Sequence, residues 1–533
     1  MSEQELKLNV PVKAQARVER EVKRAQFAQV QLRALYFDTP SRALVRSRIA
    51  LRLRLEGTQW VQTLKMPGAH SLSRVEINQN RPEATLDLSI YAGTPAGDIL
   101  SNLTEPLQVC YETDVLRLLR NIRARSGVVE LAYDRGWLRA GALQLPISEV
   151  EFELKTGKLE AVFEIGRKWQ QKFGLILDFR SKAERGDQLA MLAQTLEKAD
   201  APEAIANFWK PRGAEPIALQ EVVKERDAAQ VLSVVTSECL EHIARNAAIL
   251  CEVDTADICR ASTPEHVHQL RVGIRRLRSA WSFFNGITEL PPLEHREQIS
   301  GYFSQLGGTR DEDVLQESVL PTLYAAGLPP IELPARAIQG SGLEFVSSPA
   351  FQTWLLDMLK LCTIPVSAAS TAAANPAQQD VPVISPESSD TAFAFPRSPR
   401  ECREPPLKPL LIEKLKKWHR QIVRSGLKFG SLTIEEQHAL RKKSKRLRYA
   451  LQFCESMLPD SNLQRYRKQL ATVQDILGEM NDLYVAQPLF KALVERQPQA
   501  WFACGWIQAR LAALTNDAAE AFKCLADSTP PWS

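Results

Sequence analysis

Over the first two hundred residues, apolar and charged side chains alternate with a period of two. In “EQELKLNV” the alternation puts Glu3, Glu5 and Lys7 on one face of a strand and Leu6, Leu8 and Val10 on the other. “LRLRL” opposes Arg52 and Arg54 to Leu51, Leu53 and Leu55, and “EVEFEL” opposes Glu149, Glu151 and Glu153 to Val150, Phe152 and Leu154. “SRVEIN” and “VVELAYDRG” read the same way, with Gly, Pro and Asn between the runs. A single strand of this kind is ordinarily a sheet face turned to water. Here some strands are acidic and others basic. A closed barrel with a polar interior would let the acids gather a metal and the bases an anion, with helices over the aliphatic exterior.

“KLEAVFEIGRKWQQKFG” predicts one helix after the strands, and “FWKPRGAEPIAL” marks a boundary near residue 210. Beyond it the period becomes helical, beginning with “DAAQVLSVVTSECLEHIARNAAIL”. Thr263, Pro264 and Glu265 predict a helix start, and Thr433 with Glu436 predicts a capping box. From Pro365 to Pro406 the chain is rich in Ala, Ser and Pro without apolar period, which predicts a disordered insertion.

The two predicted helices carry related patterns, “HQLRVGIRRLR” from His268 and “HALRKKSKRLR” from His438. At about 100° per residue, His268, Arg271, Arg275 and Arg278 share a stripe, as do His438, Arg441, Lys445 and Arg448. Successive cations sit roughly one 5.4 Å turn apart, so a linear polyanion could lie along them. One charge run is usually a solvated face, but duplication weakens that reading. Acids are scarce inside both stretches, leaving Asp311, Asp313 and Asp482 as candidate tertiary counter-charges. “LGGTRDEDVL” and “LGEMNDLYVA” follow the two helices at similar separations, which supports two related bundles.

Composition adds limits. The 533 residues exceed one ordinary domain, and 44% hydrophobic with 24% charged residues is a globular balance. The net charge of +4 gives no general polyanion affinity, so any such affinity rests on local clusters. Nine scattered cysteines without a CxxC pair fit reduced thiols. No run approaches the roughly 18 apolar residues of a membrane span, and the start lacks a signal-peptide pattern. A cytoplasmic protein is the expectation.

The paired “HxxRxxxRRxR”-like motifs resemble the CHAD family over about residues 220 to 525. That resemblance implies an all-α domain of two four-helix-bundle-like repeats that binds polyphosphate. Its implied contacts are His268, Arg271, Arg275, Arg276, Arg278, His438, Arg441, Lys445, Arg446 and Arg448.

The first 200 residues resemble the CYTH superfamily, the triphosphate tunnel metalloenzymes. The likeness rests on “ExExK” (Glu3, Glu5, Lys7), “YFDTP” at Tyr36 to Pro40, “LRLR”, “TLK” ending at Lys65, “ETDVLR” ending at Arg117 and “SKAERG” with Lys182. “LLRNIRARSG” departs from the aromatic-containing strand that the family has after the arginine. An eight-stranded antiparallel tunnel is implied, giving an α+β chain with CYTH over 1–205, a linker over 206–224 and CHAD over 225–525. The implied metal ligands for Mg²⁺ or Mn²⁺ are Glu3, Glu5, Glu149, Glu151 and Glu153. Lys7, Arg52, Arg54, Lys65, Arg74, Arg117, Lys182 and Arg185 would bind substrate, with Glu3, Glu5, Lys7 and Lys65 carrying catalysis and Glu76 and Asp134 orienting their neighbours.

CYTH followed by CHAD is similar to the arrangement in bacterial inorganic triphosphatases. The leading expectation is therefore metal-dependent hydrolysis of inorganic triphosphate, with polyphosphate binding by the helices. Two alternatives stay open: a non-catalytic polyphosphate-binding protein, and a hydrolase or cyclase acting on a nucleoside or thiamine triphosphate. Few aromatics interleave the basic helices, which argues against nucleic acid.

Overall fold

The computed structural model describes residues 2–68, 72–198, 204–205, 208–217, 219, 223–224, 227–253, 264–306, 314–334, 344–364 and 406–532. Nearly all of the expected disordered insertion, Thr263, Asp311, Asp313 and the Glu3 side chain lie outside the described residues.

Eight strands form an antiparallel barrel: β1 (Ser2–Asn9), β2 (Ala28–Asp38), β3 (Ala50–Glu56), β4 (Gln59–Pro67), β5 (Ser73–Arg81), β6 (Gln108–Ala124), β7 (Gly127–Ala140) and β8 (Leu143–Gly157). Their order is β5-β4-β3-β2-β6-β7-β8-β1, and β1 pairs back onto β5, so the sheet closes and these strands have no edge. The two-residue β9 (Ile176–Leu177) adds to β1. β6 stays in unbroken register with β7 from Glu112 to Ala124, so the departure after Arg117 does not disturb the ladder.

Closure sorts the alternating residues. Leu6, Leu8, Leu131, Tyr133, Val150 and Phe152 face outward and are buried under α4 (Glu160–Phe173). That helix packs Val162, Ile165, Trp169 and Phe173 down and stops at Gly174, whose φ of +67° is the left-handed conformation glycine adopts readily. Each large apolar side chain so covered contributes roughly 1.5–3 kcal/mol. Shorter helices, α1 (Gln15–Val22), α2 (Ala43–Arg46) and α3 (Pro95–Ser101), cover other parts of the wall.

The interior has two halves. On the residue parity that points inward, Ala34, Tyr36, Tyr111, Val115, Leu138, Leu145 and Ile147 make an apolar end. α5 (Lys182–Lys198) fills it with Leu189, Ala190 and Ala193. The helix approaches so closely that a Cβ at Gly186 would collide with the Tyr111 ring, while the Tyr111 hydroxyl donates to the Ala183 carbonyl at 3.0 Å. Toward the other end the same inward positions are ionic.

The rest of the chain is helical. α6 (Ala228–Leu250), α7 (Pro264–Phe284), α8 (Leu293–Gln305) and α10 (Pro349–Thr363) pack together, with the short α9 (Leu320–Ala325) between the last two in sequence. α11 (Leu407–Gly426), α12 (Ile434–Cys454), α13 (Asp460–Leu493) and α14 (Ala500–Asp527) form a second group of four, joined to the first where α12 meets α7. The predicted capping box opens α12: Thr433 Oγ1 accepts from the Glu436 amide at 3.2 Å, and Glu436 Oε2 accepts from the Thr433 amide at 2.8 Å. Among the described residues no helix is long and apolar enough to cross a membrane.

Barrel and helices share one apolar cluster. α10 lies on α4, where Thr353 donates to Gln170 at 2.9 Å and Arg167 pairs with Asp357 at 2.9 Å. The connection over 206–224 is not a bare tether, because Phe208, Trp209, Ile217 and Leu219 are buried in it.

Gly186→Ala is expected to force α5 and Tyr111 apart, costing about 1–3 kcal/mol, read as a lower denaturant midpoint. An unchanged midpoint would show that the apolar end tolerates displacement.

Candidate active site

Inside the ionic half, strand register does the assembling. β7 sets Asp134 opposite Glu149 of β8, and β1 sets Lys7 opposite Glu151. Carboxylate oxygens of Asp134, Glu149 and Glu151 all lie within 4.8 Å of one another. Such a cluster of acids in a low-dielectric interior requires compensating charge.

Lys182, arriving on the first turn of α5, supplies it. Its ammonium is 2.7 Å from Asp134, 2.7 Å from Glu151 and also paired with Glu149. Arg117 adds a fork onto Asp134, at 2.6 and 2.7 Å, and reaches Glu151 at 2.6 Å. Arg185, fully buried, pairs with Glu149 at 2.8 Å and donates to the Pro146 carbonyl at 3.0 Å. Lys7 lies 3.8 Å from Glu149 and donates to the Arg180 carbonyl.

These contacts set the protonation states. Burial alone would raise the Glu151 and Asp134 pKa values. The nearby Lys182 and Arg117 charges outweigh it and hold Glu151 well below, and Asp134 below, the ordinary carboxylate range. Burial opposes the charged forms of Lys182 and Arg117 too, yet the acids hold both well above their usual values. Glu5 differs: burial, then repulsion from Glu151, raises it despite Lys65, Lys182 and Arg74 nearby.

The other expected substrate residues line the same interior. Lys65 pairs with Glu76 at 2.6 Å, and Glu76 stands 3.8 Å from Arg52. Arg54 donates to Glu56 at 2.6 Å, and Arg74 donates to the Ser73 carbonyl at 2.9 Å. Cations outnumber acids among these side chains, the balance that a polyanion would complete. Tyr36, which opens the “YFDTP” motif, puts its hydroxyl 3.3 Å from Arg52. Burial would raise this phenol's pKa, but Arg52 and further cations lower it.

Three placements in the barrel differ from expectation. Glu5 stands near Glu151 but is not one of the three clustered acids. Glu153 is not in the acid cluster: one rung along β8, it pairs with Lys155 at 3.0 Å, which also reaches Glu130 at 3.1 Å. Asp134, expected only to orient neighbours, stands in the cluster. The signal for it was the β7–β8 register, which a single sequence does not display. As to a metal, the three carboxylates are hard oxygen donors of the kind Mg²⁺ and Mn²⁺ take. The Lys182 ammonium already occupies their meeting point as a cation. The residues therefore fit a divalent ion once Lys182 is drawn away.

In the helical region α7 and α12 face each other. Burial, then the nearby Arg446, lowers the Arg278 pKa, and Arg275 stands close enough to Lys445 to act on it in the same way. Burial, then Arg441, Arg275 and Arg448, lowers the Lys445 ammonium to about 6 against the pull of Asp482. Among the described residues, the Nε–H groups of Arg275 and Arg448 are buried without an acceptor. His268 and Arg271 are half-buried on α7, with Arg271 donating to the Leu306 carbonyl and lying over the Phe303 ring. His438 lies beside the Tyr484 ring, and burial lowers its pKa.

Arg446 borders a cleft of about 280 Å³ with Ser282, Asn285, Trp418 and Lys443. Arg276, expected among the phosphate contacts, is instead turned into the bundle. It is fully buried, pairs with Glu238 at 2.7 Å and lies 3.2 Å from His242 Nδ1. On the helical wheel it is one step past Arg275 and so falls on the apolar side.

Lys182→Met would strip the ammonium from three buried acids and is expected to cost about 3–5 kcal/mol. Chemical unfolding at neutral pH reads this. A cost under about 1 kcal/mol, the scale of an exposed pair, would mean that the cluster is not held by Lys182.

Comparison with known proteins agrees with these two parts. Residues 1–186 match the CYTH domain family and residues 235–491 the CHAD domain family. An inorganic triphosphatase of Haemophilus influenzae is 30% identical over 195 residues, 34% of this chain, and the match spans 54% of that relative's length. Among solved structures, the CHAD domain from the plant Ricinus communis is 25% identical with a TM-score of 0.39, covering 60% of this chain and 98% of that one. A Hippeastrum protein described as having a dominant triphosphatase activity is 17% identical with a TM-score of 0.24, covering 33% of this chain and 90% of that one. The chain thus carries a CYTH domain followed by a CHAD domain.

Proposed function

We propose that the barrel hydrolyses inorganic triphosphate to pyrophosphate and phosphate, and that α7 and α12 bind longer polyphosphate. The observation that carries the first part is the cluster of Asp134, Glu149 and Glu151 set among Lys7, Arg52, Lys65, Arg117 and Lys182 inside one closed barrel. The likeness to an inorganic triphosphatase supports it.

Asp134, Glu149 and Glu151 would hold Mg²⁺ or Mn²⁺, with Glu5 alongside on β1. The ion, when bound, supplies charge neutralisation at the phosphoryl oxygens and a polarised water. Arg52, Arg54, Lys65, Arg74 and Arg117 grip the triphosphate oxygens, Arg by paired N–H donors and Lys as point charge. Lys182, displaced from the acids, gains a phosphate partner, so its charge stays compensated throughout. In-line attack of water on the terminal phosphorus breaks the bond to the leaving pyrophosphate, and the interior cations stabilise the charge on the leaving oxygen. No covalent nucleophile is required.

The test is phosphate release from tripolyphosphate, ATP and thiamine triphosphate with Mg²⁺ or Mn²⁺. Release from tripolyphosphate is expected to lead, and Glu151→Gln to lower kcat by about 10²–10³-fold in protein that still melts cooperatively. Preference for ATP or thiamine triphosphate would shift the reading to an organic substrate. No release from any of them would leave the barrel a binding site.

For the helical region, Arg271→Glu, Arg275→Glu, Arg441→Glu and Lys445→Glu together should abolish retention on immobilised polyphosphate while the far-ultraviolet spectrum stays helical. The pH dependence follows from Lys445. With a pKa of about 6, its amine is mostly neutral at pH 8 in the free protein. A bound polyanion favours the ammonium, so binding takes up a proton. Affinity should therefore rise as pH falls from 8 toward 6, and Lys445→Met should flatten that slope. A slope unchanged in Lys445→Met would remove Lys445 from the site.

A further inference from the structure

The short segment from β9 into α5 is shared between the two halves of the molecule. On α5, Lys182, Arg185, Gly186 and Leu189 recur at the spacing of one helix face, and that face enters the barrel. Glu184, two residues after Lys182 and thus about 200° round the helix, points the other way. There it meets Arg245 of α6, whose guanidinium forks onto the Glu184 carboxylate, one arm at 3.0 Å. The same guanidinium is fixed from its own helix by Glu241 at 2.8 Å. Arg245 is partly buried, and its two acids hold its pKa above the usual value although desolvation opposes the charge.

The residues just before α5 repeat the arrangement. The Arg180 carbonyl receives the Lys7 ammonium inside the barrel. The Arg180 side chain points outward, pairing with Asp178 at 2.9 and 3.0 Å and stacking 4.4 Å over Trp209. It also reaches the Val253 carbonyl, just past α6, at 3.4 Å. At β9, the Leu177 amide donates to Gln352 of α10 at 2.9 Å. At α5 and at Arg180 an inward contact, with the acids or with Lys7, is matched by an outward contact toward the helical region, and β9 adds a further outward one.

We infer that Arg245 is a positioning residue for the barrel site: by holding Glu184 it sets the rotation of α5 about its axis, and so the placement of Lys182 among Asp134, Glu149 and Glu151. The helical region is then part of the site's scaffold and not only a separate polyphosphate binder. The catalytic side of this inference rests on the triphosphatase reading above. An active-site group misplaced by about 1 Å can cost on the order of 10²-fold in rate, so a remote pair that fixes a helix's rotation acts on the chemistry without touching substrate.

The test compares wild type, Arg245→Ala, Arg245→Lys, Glu184→Gln, Lys182→Met and the Arg245→Ala/Lys182→Met double variant, with Arg510→Ala as control. Arg510 pairs with Glu479 at 2.6 Å on the half-exposed surface of α13 and α14, away from α5. Tripolyphosphate hydrolysis is measured well below each variant's melting temperature. The expected result is a fall in kcat of about ten- to a hundredfold for Arg245→Ala, partial recovery in Arg245→Lys, and no further loss when Arg245→Ala is added to Lys182→Met. Arg510→Ala should match wild type. Wild-type kcat in Arg245→Ala, or losses that multiply in the double variant, would overturn the inference.

If Arg245→Ala does not fold, Glu184→Gln breaks the same ion pair with little change in size and carries the same expectation. Should the wild type release no phosphate, the triphosphatase reading fails, and the link is read from unfolding free energies of Glu184→Gln, Lys182→Met and their double variant. Non-additive effects uphold the positioning link, and additive ones refute it.

Discussion

Burying carboxylates together is the constraint on which the barrel depends. Asp134, Glu149 and Glu151 lie on neighbouring strands of a closed sheet, where water cannot solvate them as it would on a surface. Only cations supplied by the protein or by a ligand make that arrangement tolerable. Arg117 comes from the barrel wall, but Lys182 and Arg185 come from a helix that enters through the apolar end. Packing of α5 against Tyr111 and Leu145 is therefore also what delivers charge to the acids. The hydrophobic and ionic halves of the interior are two consequences of one helix being in place.

The helical region meets the same constraint with the opposite sign. Arg275, Arg441 and Arg448 crowd Lys445 at the junction of α7 and α12 and lower its pKa after burial, with Asp482 pulling the other way. Both clusters gather like charges where burial penalises the charged form.

Much of this was legible from the chain itself. Period-two alternation gave the inward and outward faces of β1, β3 and β8, because a half-buried strand has no other way to separate Glu149 from Val150. The spacing of Arg271, Arg275 and Arg278 gave the α7 stripe for the corresponding helical reason. Register was not legible. Asp134 looked like a neighbour to the ligands because nothing in the string “LAYDRG” says that it stands opposite Glu149. Glu153 shares the face of Glu151 but lies one rung away, where Lys155 takes it. Arg276 adjoins Arg275 in sequence, and only the packing of α6 against α7 shows that Glu238 claims it. The shared core was hidden as well, since the boundary signals around residue 210 are also those of a buried connection.

In the proposed function the barrel's acids hold a divalent ion while its cations, Lys182 included, hold a triphosphate. A crystal structure of the protein with Mn²⁺ and a slowly hydrolysed tripolyphosphate analogue tests it most directly. Metal density is expected on Asp134, Glu149 and Glu151, the analogue across Arg52, Lys65 and Arg117, and the Lys182 ammonium moved from the carboxylates onto a phosphate oxygen. An analogue seated outside the barrel, with Lys182 still among the three acids and no metal there, would contradict it.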